Sequence, residues 1–202
     1  MGFTVRHGYG FLLVLWLWSG VVACRGPQSG AAEAPGDAVT LLDLSGRRIE
    51  PLRESAAAAS VFLFLRTDCP ISNRYAPEIR RLHERFAPSG IEFWMVYPDP
   101  DEAPQAIREH LSEFEYPGRA ARDPEHALVE ETGATVTPEA AVFADDEWVY
   151  LGRIDDRHVD FGKSRAAPTT HDLADALQAI LDGQPVSQPR TRAIGCYIPD
   201  LE

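Results

Sequence analysis

The chain has 202 residues, of which 31 are acidic and 19 are Lys or Arg, so its formal net charge is −12. An acidic chain without a cluster of lysines and arginines is a poor nucleic-acid binder, and we expect no nucleic-acid partner. Three cysteines, Cys24, Cys69 and Cys196, are too few for a small scaffold held together by several disulfides.

The first 23 residues have the pattern of a secretory signal peptide. Phe11–Trp18 is apolar throughout, but it is too short to cross a bilayer, which takes about 20 residues. The segment Val21–Cys24, V-V-A-C, resembles a bacterial lipobox, in which the cysteine becomes the lipidated first residue of the mature protein. We therefore expect an exported protein anchored to the membrane through lipid on Cys24. The alternative is an ordinary signal peptide cut near Ala23.

Residues 24–37 are predicted to be a flexible tether, because Arg25–Asp37 is small, polar and rich in Gly and Pro. Residues 38–183 have the size of one domain with a sizeable core, and residues 184–202 form a C-terminal tail. If Cys24 carries lipid, Cys69 and Cys196 remain as a pair that can form a disulfide in an oxidising compartment.

Hydrophobic patterning in the first half of the domain predicts strands that alternate with helices. Pro77 lies inside the longest helix and is expected to kink it. In chain order, we predict a hairpin from Ala38–Leu44 and Arg47–Leu52, an alanine-rich helical turn at Arg53–Ser60, a buried strand at Val61–Leu65, a helix at Pro70–Phe86 and a strand at Ile91–Tyr97.

The second half continues the alternation and then closes with a hairpin and a helix. The predicted elements are a helix at Gln105–Phe114, a short link at Ala120–Asp123, a helix at Pro124–Thr132 with Gly133 as its C-cap, strands at Ala140–Ala144 and Trp148–Ile154, and a helix at His171–Leu181. Alternation predicts a parallel pair joined by a crossover helix, and the closing hairpin makes the sheet mixed. The predicted fold class is therefore α/β, with a central mixed sheet flanked by helices.

Four stretches of the sequence resemble the thioredoxin superfamily, and more closely its redoxin branch, the alkyl hydroperoxide reductase and thiol-specific antioxidant group. They are V-F-L-F-L-R-T-D-C-P-I-S, I-E-F-W-M-V-Y, T-V-T-P-E-A-A-V-F, and Asp145–Tyr150 followed by L-G-R-I. The segments D-C-P-I-S-N-R-Y-A-P-E, G-R-I-D-D-R and G-C-Y-I also resemble a group of exported bacterial redoxin-domain proteins. The resemblance implies a thioredoxin-like fold in which Pro138 follows a cis bond and faces the active-site cysteine. Thr137 would then offer backbone groups to an extended substrate.

Cys69 stands where the buried strand meets the helix, and the electrostatics of this position favour reactivity. A helix N-terminus presents unpaired N–H groups and a partial positive charge, which stabilise a thiolate and lower the pKa of a cysteine. Pro70 suits the first helical position because it has no N–H to lose there. Asp68 opposes the thiolate, and Arg66 or Arg74 could offset it. We predict a nucleophilic Cys69; the alternative is a buried, inert core cysteine.

Ser72 occupies the position of the second cysteine in a dithiol thioredoxin, so Cys69 has no local partner to resolve a mixed disulfide. Ser72 can donate a hydrogen bond to the thiolate, or it simply suits the start of a helix. The tail from Gly183 to Cys196 can span up to about 40 Å and can return to Cys69. Gly195 would let its backbone approach closely. We predict that Cys196 is the resolving partner; the alternative is a free or intermolecular thiol on a loose tail.

Four functions stay open at this point. The first is a thiol-disulfide oxidoreductase of the cell envelope that uses the two domain cysteines and acts on protein or small-molecule thiols and disulfides. The second is a thiol peroxidase, although its pattern needs Pro and Ser or Thr where this chain has Phe62 and Arg66; Arg66 could still polarise a peroxide. The third is a soft Cu(I) site made of the two cysteines with His158 or His110. The fourth is a redoxin domain that binds a partner without catalysis.

A charged stretch follows the last predicted strand. We expect a solvated, ion-paired loop there, with a binding surface beside the active site as the alternative. The stretch contains Arg153, Asp155, Asp156, Arg157, His158 and Arg165. Exchange between thiols and disulfides needs neither a metal nor an organic group, so no cofactor is expected.

Overall fold

The computed structural model describes residues 39–201 of the chain. The predicted signal peptide at residues 1–23, the lipidation of Cys24 and the tether at residues 24–37 lie outside the described residues. None of the helices between Val39 and Leu201 is long and apolar enough to cross a membrane.

The described residues form eleven strands and five α-helices. The strands are β1 Leu41–Leu42, β2 Arg48–Ile49, β3 Ala59–Phe64, β4 Ile91–Tyr97, β5 Arg119–Arg122, β6 Val136–Thr137, β7 Glu139–Ala144, β8 Glu147–Gly152, β9 His158–Asp160, β10 Lys163–Ser164 and β11 Cys196–Tyr197. The helices are α1 Pro51–Glu54, α2 Pro70–Phe86, α3 Pro104–Glu113, α4 Ala127–Thr132 and α5 Asp172–Leu181, with a 3-10 turn at Ala87–Ser89. Seven strands make one sheet in the order β2-β1-β5-β4-β3-β7-β8.

The centre of this sheet confirms the predicted α/β fold with a mixed sheet. β3 pairs in parallel with β4, and β4 in parallel with β5, whereas β7 runs antiparallel to β3. Val61 and Leu63 belong to one core cluster, which α2 and α5 cover, and Phe62 and Phe64 belong to a second cluster together with α4. Because both faces of the sheet are buried here, Val61–Leu65 is an unbroken apolar run. Burial of each of these large side chains contributes about 1.5–3 kcal/mol.

Helix α2 has the predicted bounds, Pro70–Phe86, and it continues through Pro77. Ile79 and Leu82 bury its apolar side at the spacing that the sequence predicts. The connection from β3 to α2, residues 65–69, lies at the carboxyl end of the parallel strands. This is the edge where open α/β sheets place their functional sites.

Two local predictions between the helices were wrong. The link predicted at Ala120–Asp123 is part of strand β5, which pairs in parallel with β4; two alanines between two arginines lack the β-branched and aromatic residues that signal a strand. In place of the helical turn predicted at Arg53–Ser60, the structure has α1 at Pro51–Glu54. Pro51 suits the first helical position, so the helix begins two residues earlier than predicted. The alanines that follow lead into β3, whose pairing with two neighbours overrides their helix propensity.

Helix α4 begins at Ala127 rather than at Pro124, where the sequence predicts its start. Asp123 Oδ2 accepts hydrogen bonds from the N–H groups of Leu128 and Val129, at 3.0 and 2.9 Å. This carboxylate satisfies donors that the first turn leaves unpaired. Asp123 therefore caps the helix from outside, and the helix is shorter than predicted.

The charged stretch after β8 is not the solvated loop that the sequence predicts. Asp155, Asp156 and His158 are at most 8% exposed. The Tyr75 hydroxyl donates to Asp155 Oδ1 at 2.5 Å, and Arg165 pairs with Asp156 at 3.2 Å. The stretch is ion-paired as expected, but it is packed against α2, since buried carboxylates need such partners.

Candidate active site

Cys69 immediately precedes helix α2 and serves as its N-cap. The Ser72 N–H lies 3.5 Å from Cys69 Sγ and donates to it, and Pro70 fills the first helical position. The Cys69 side chain is fully buried. The thiol therefore lies at a helix N-terminus, where the unpaired N–H groups favour its ionised form.

The segment that faces Cys69 contains the predicted cis-proline. The Thr137–Pro138 bond is cis, and the Thr137 carbonyl oxygen lies 3.0 Å from Cys69 Sγ. At this distance the Cys69 thiol donates a hydrogen bond to the carbonyl. Thr137 and Pro138 thus lie beside the cysteine, where the resemblance predicts them.

The C-terminal tail closes the site. Strand β11 pairs antiparallel with β6, so that Cys196 lies opposite Thr137 and Tyr197 opposite Val136. This pairing brings Cys196 Sγ to 2.7 Å from Cys69 Sγ, although the two residues are 127 positions apart in the sequence. Both are free cysteines. The structure therefore brings together the two thiols that the sequence singles out.

Gly195 makes this close approach possible. It is buried, and a Cβ at its position would overlap the carbonyl oxygen of Thr137. Only a residue without a side chain lets the tail lie against β6 at this point. The glycine before Cys196 therefore has a direct physical role.

Arg66 links the active-site loop to the tail. Its Nη2 forms ion pairs with Asp68 and Asp99, each at 3.1 Å, and its Nη1 donates to the Tyr197 carbonyl at 3.3 Å. The Arg66 charge also opposes the rise in the pKa of Cys196 that burial causes. Arg66 therefore acts on the tail and on its cysteine.

The two thiols shift each other's pKa in opposite directions. Burial raises the pKa of Cys69, but hydrogen bonds from Cys196 and Ser72 outweigh it and hold the pKa below its usual range. Burial and the hydrogen bond donated to Cys69 raise the pKa of Cys196. Cys69 is therefore the thiol that ionises first, and the Cys196 thiol stabilises the resulting charge.

An ultraviolet titration of thiolate absorbance should show an inflection below the usual thiol range, and Cys69→Ser should remove it. In Cys196→Ala the inflection should move to higher pH, because the hydrogen bond from Cys196, which lowers the pKa of Cys69, is gone. An inflection that stays in place would contradict the coupling. The buried phenols do not interfere, since burial raises their pKa far above the usual range (Tyr75, Tyr97, Tyr116 and Tyr150).

Two residues that shape the site carry no signal in the sequence. Glu102 Oε1 accepts hydrogen bonds from the Thr67 N–H at 2.6 Å and the Thr67 hydroxyl at 2.8 Å, which fixes the loop before Cys69. Tyr116 donates to the Ser72 carbonyl at 2.7 Å and fixes the first turn of α2. These contacts join segments 35 and 44 positions apart, so local spacing cannot reveal them.

The Cu(I) site considered from the sequence is not assembled. His110 is hydrogen-bonded to the Tyr97 hydroxyl at 2.9 Å and to Asn73 Oδ1 at 2.7 Å, and the His158 ring packs against Tyr75. Within residues 39–201, no three His, Cys, Asp or Glu side chains come together in a way that could hold a metal ion. Each histidine instead contacts a residue of α2: His110 is hydrogen-bonded to Asn73, and His158 packs against Tyr75.

Comparison with known protein families gives one match. A family model described as the AhpC/TSA family matches residues 33–150. A search among curated proteins gives no significant match.

Solved structures show which fold this is. An uncharacterized conserved protein from Geobacillus kaustophilus is 25% identical over 80% of this chain and 88% of its own, with a TM-score of 0.70. A secreted disulfide oxidoreductase from Mycobacterium tuberculosis is 16% identical over 76% of this chain and 99% of its own (TM-score 0.50). A thioredoxin-like protein from Aeropyrum pernix is 13% identical over 72% and 88%, respectively (TM-score 0.52). These likenesses show that the fold is thioredoxin-like.

Proposed function

The chain belongs to the AhpC/TSA family, and we propose that it is a thiol-disulfide oxidoreductase of the cell envelope. In this proposal Cys69 is the nucleophile and Cys196 is the resolving cysteine. The observation that carries it is the distance of 2.7 Å between the two Sγ atoms, held by the pairing of β11 with β6. Thiols at this separation need only a small movement to form a disulfide bond of about 2.05 Å.

The proposed reaction consists of two thiol-disulfide exchanges. The Cys69 thiolate attacks one sulfur of a substrate disulfide; the Cys69–substrate bond forms, the substrate S–S bond breaks, and the second substrate sulfur leaves as a thiolate. Cys196 then attacks Cys69 Sγ and releases the first substrate sulfur, which takes up the Cys196 proton. The protein has lost two electrons to the substrate and holds a Cys69–Cys196 disulfide. The reverse sequence oxidises a substrate dithiol.

Neighbouring residues have supporting roles in this reaction. The Ser72 N–H at the helix start stabilises the thiolate of the nucleophile. The Arg66 charge favours ionisation of the resolving cysteine. Thr137 and Pro138 form the wall along which an extended substrate chain would lie.

Peroxidase activity has less support from the arrangement of the site. Arg66 is the residue that could polarise a peroxide, but both of its terminal nitrogens already have protein partners. Only its Nε is without a hydrogen-bond partner among the described residues, and that atom is buried. The sequence also has Arg66 where the peroxidase pattern has Ser or Thr. We therefore favour exchange with disulfides over reduction of peroxides.

The proposed location depends on the sequence before the domain. The apolar segment Phe11–Trp18 would direct export, Cys24 would carry the lipid, and residues 24–37 would connect the anchor to the domain at residues 38–183. Mass spectrometry of the mature N-terminus should find lipid on Cys24. A mature chain that begins at any other residue would contradict this part of the proposal.

A peptide disulfide and hydrogen peroxide distinguish the two redox activities. The reduced full chain carrying Cys24→Ser, kept free of air, should reduce an equivalent of the peptide disulfide and accumulate the Cys69–Cys196 disulfide. With peroxide instead, its thiols should disappear no faster than those of free cysteine when the two rates are compared at equal thiolate concentration. Fast peroxide consumption without reduction of the peptide would overturn the proposal in favour of a peroxidase.

A further inference from the structure

The C-terminal tail contacts the domain at two separate places. Near Thr191 it runs beside β8, where the Leu151 N–H donates to the Pro189 carbonyl at 2.9 Å and the Thr191 N–H donates to the Leu151 carbonyl at 3.1 Å. Farther along, β11 pairs with β6. Residues 192–195 connect the two contacts. The tail is therefore attached twice, once away from the thiols and once over them.

The first contact fixes Thr191 firmly. Thr191 Oγ1 accepts a hydrogen bond from the Arg153 N–H at 3.1 Å and shares another with the Tyr150 hydroxyl at 2.8 Å. The tail passes so close to Gly152 that a Cβ there would overlap both the side chain and the backbone of Thr191. Thr191 is thus held at the end of β8 through its backbone and its hydroxyl together.

The second contact is short, and it covers the reactive cysteine. Residues 192–201, which we call the arm, pair with β6 over two residues, and the Ile198 N–H donates to the Thr135 carbonyl at 3.1 Å. The Tyr197 side chain is 74% exposed and adds little packing. With the arm in this position Cys69 is fully buried, so a substrate disulfide cannot reach its Sγ.

The edge beneath the arm can accept an extended polypeptide. Among the described residues, β6 has β11 as its only strand partner. A chain that displaced the arm would meet the same backbone groups of Val136 and Thr137, beside Cys69 Sγ. The arm and a polypeptide substrate therefore compete for one edge.

We propose that Thr191 is the fixed pivot of the arm, which leaves β6 when a polypeptide disulfide docks there and returns to deliver Cys196 to the mixed disulfide. This proposal rests on the function proposed above. Docking is followed by bond formation between Cys69 and the chain, with release of the chain's second sulfur; Cys196 Sγ then displaces the first. Because the pivot stays attached, the effective concentration of Cys196 near Cys69 stays high. Thr191 is thus a positioning residue.

Amide exchange measured by NMR tests the pivot. The full chain carrying Cys24→Ser and Cys196→Ser is joined through Cys69 to a peptide with one cysteine, supplied as its thionitrobenzoate disulfide. Exchange of the Ile198 amide should rise by roughly tenfold or more, whereas the Thr191 and Leu151 amides should keep their protection. The same chain with Cys69→Ser, incubated with the same peptide, should show no change.

The outcomes of this experiment separate the two proposals. Loss of protection at Thr191 and Leu151 together with Ile198 would overturn the pivot, and so would unchanged protection at Ile198 in the mixed disulfide. If no mixed disulfide forms on Cys69, the proposed function is wrong, and the pivot that rests on it is overturned as well.

A matched pair of substitutions tests the positioning role of the Thr191 hydroxyl. Thr191→Val keeps the shape but leaves the Arg153 N–H and the Tyr150 hydroxyl without this partner, whereas Thr191→Ser keeps the hydroxyl. In the valine variant the equilibrium constant for the Cys69–Cys196 disulfide against glutathione should fall about tenfold, which corresponds to about 30 mV. The serine variant should recover most of this loss. An unchanged constant in Thr191→Val would overturn the positioning role.

Discussion

Cys69→Ser is expected to lose disulfide exchange completely, and Cys196→Ser is expected to stop after a single attack. The thiolate is the nucleophile of this chemistry, and a serine hydroxyl does not ionise near neutral pH, so Cys69→Ser removes the attacking group while keeping a side chain of similar shape. Cys196→Ser still attacks but has no thiol with which to resolve the intermediate. Turnover assays with intact-mass measurement should therefore find a stable mixed disulfide on Cys69.

The matched control is Ser187→Ala, a change at an exposed position of the same tail, which should behave like the parent chain. All variants carry Cys24→Ser, so the only thiols are those of the pair. Turnover that survives Cys69→Ser but disappears in Cys196→Ser would reverse the two assignments and make Cys196 the nucleophile.

Gly195→Ala is expected to separate the two cysteines without removing either of them. The added Cβ would overlap the carbonyl oxygen of Thr137, so β11 can no longer lie in register on β6. Overpacking of this kind costs about 1–3 kcal/mol. The equilibrium constant for the Cys69–Cys196 disulfide against glutathione should therefore fall roughly 10- to 100-fold.

Gly195→Ala is also expected to make the Cys69 thiol more accessible to reagents. Displacement of the tail exposes a thiol that is otherwise fully buried. A bulky alkylating reagent should therefore label Cys69 faster in Gly195→Ala than in the parent chain, at a pH where the Cys69 thiol is ionised in both. Ser187→Ala again serves as the control in the tail. A normal disulfide equilibrium together with normal labelling in Gly195→Ala would show that the tail does not need this glycine to reach Cys69.

Local signals in the sequence predict the fold and half of the site. The bounds of α2 and β4 follow from apolar spacing and from the prolines and glycine around them, and the structure reproduces both. The cis bond before Pro138 is found where the resemblance implies it. Strand β5 was missed because Ala120 and Ala121 acquire their strand conformation from pairing with β4, which no local pattern encodes.

The other half of the site depends on contacts between distant parts of the chain. Chain length showed that Cys196 could reach Cys69, but not that β11 would add to β6 beside it. The Arg66 bond to the Tyr197 carbonyl spans 131 positions, and the anchoring of Thr191 on β8 likewise depends on tertiary packing. Gly195 was the one local clue, since a residue without a side chain would let the backbone approach closely there.

The proposed function requires Cys69 and Cys196 to behave as one reversible redox pair, and a redox titration measures this property directly. The full chain carrying Cys24→Ser would be equilibrated across a series of glutathione buffers, trapped with a thiol-specific reagent and analysed by mass spectrometry. We predict a single two-electron transition in which both cysteines change state together within one chain. Two thiols that are trapped free at every potential, or that are oxidised independently of each other, would rule out the proposed resolving role of Cys196.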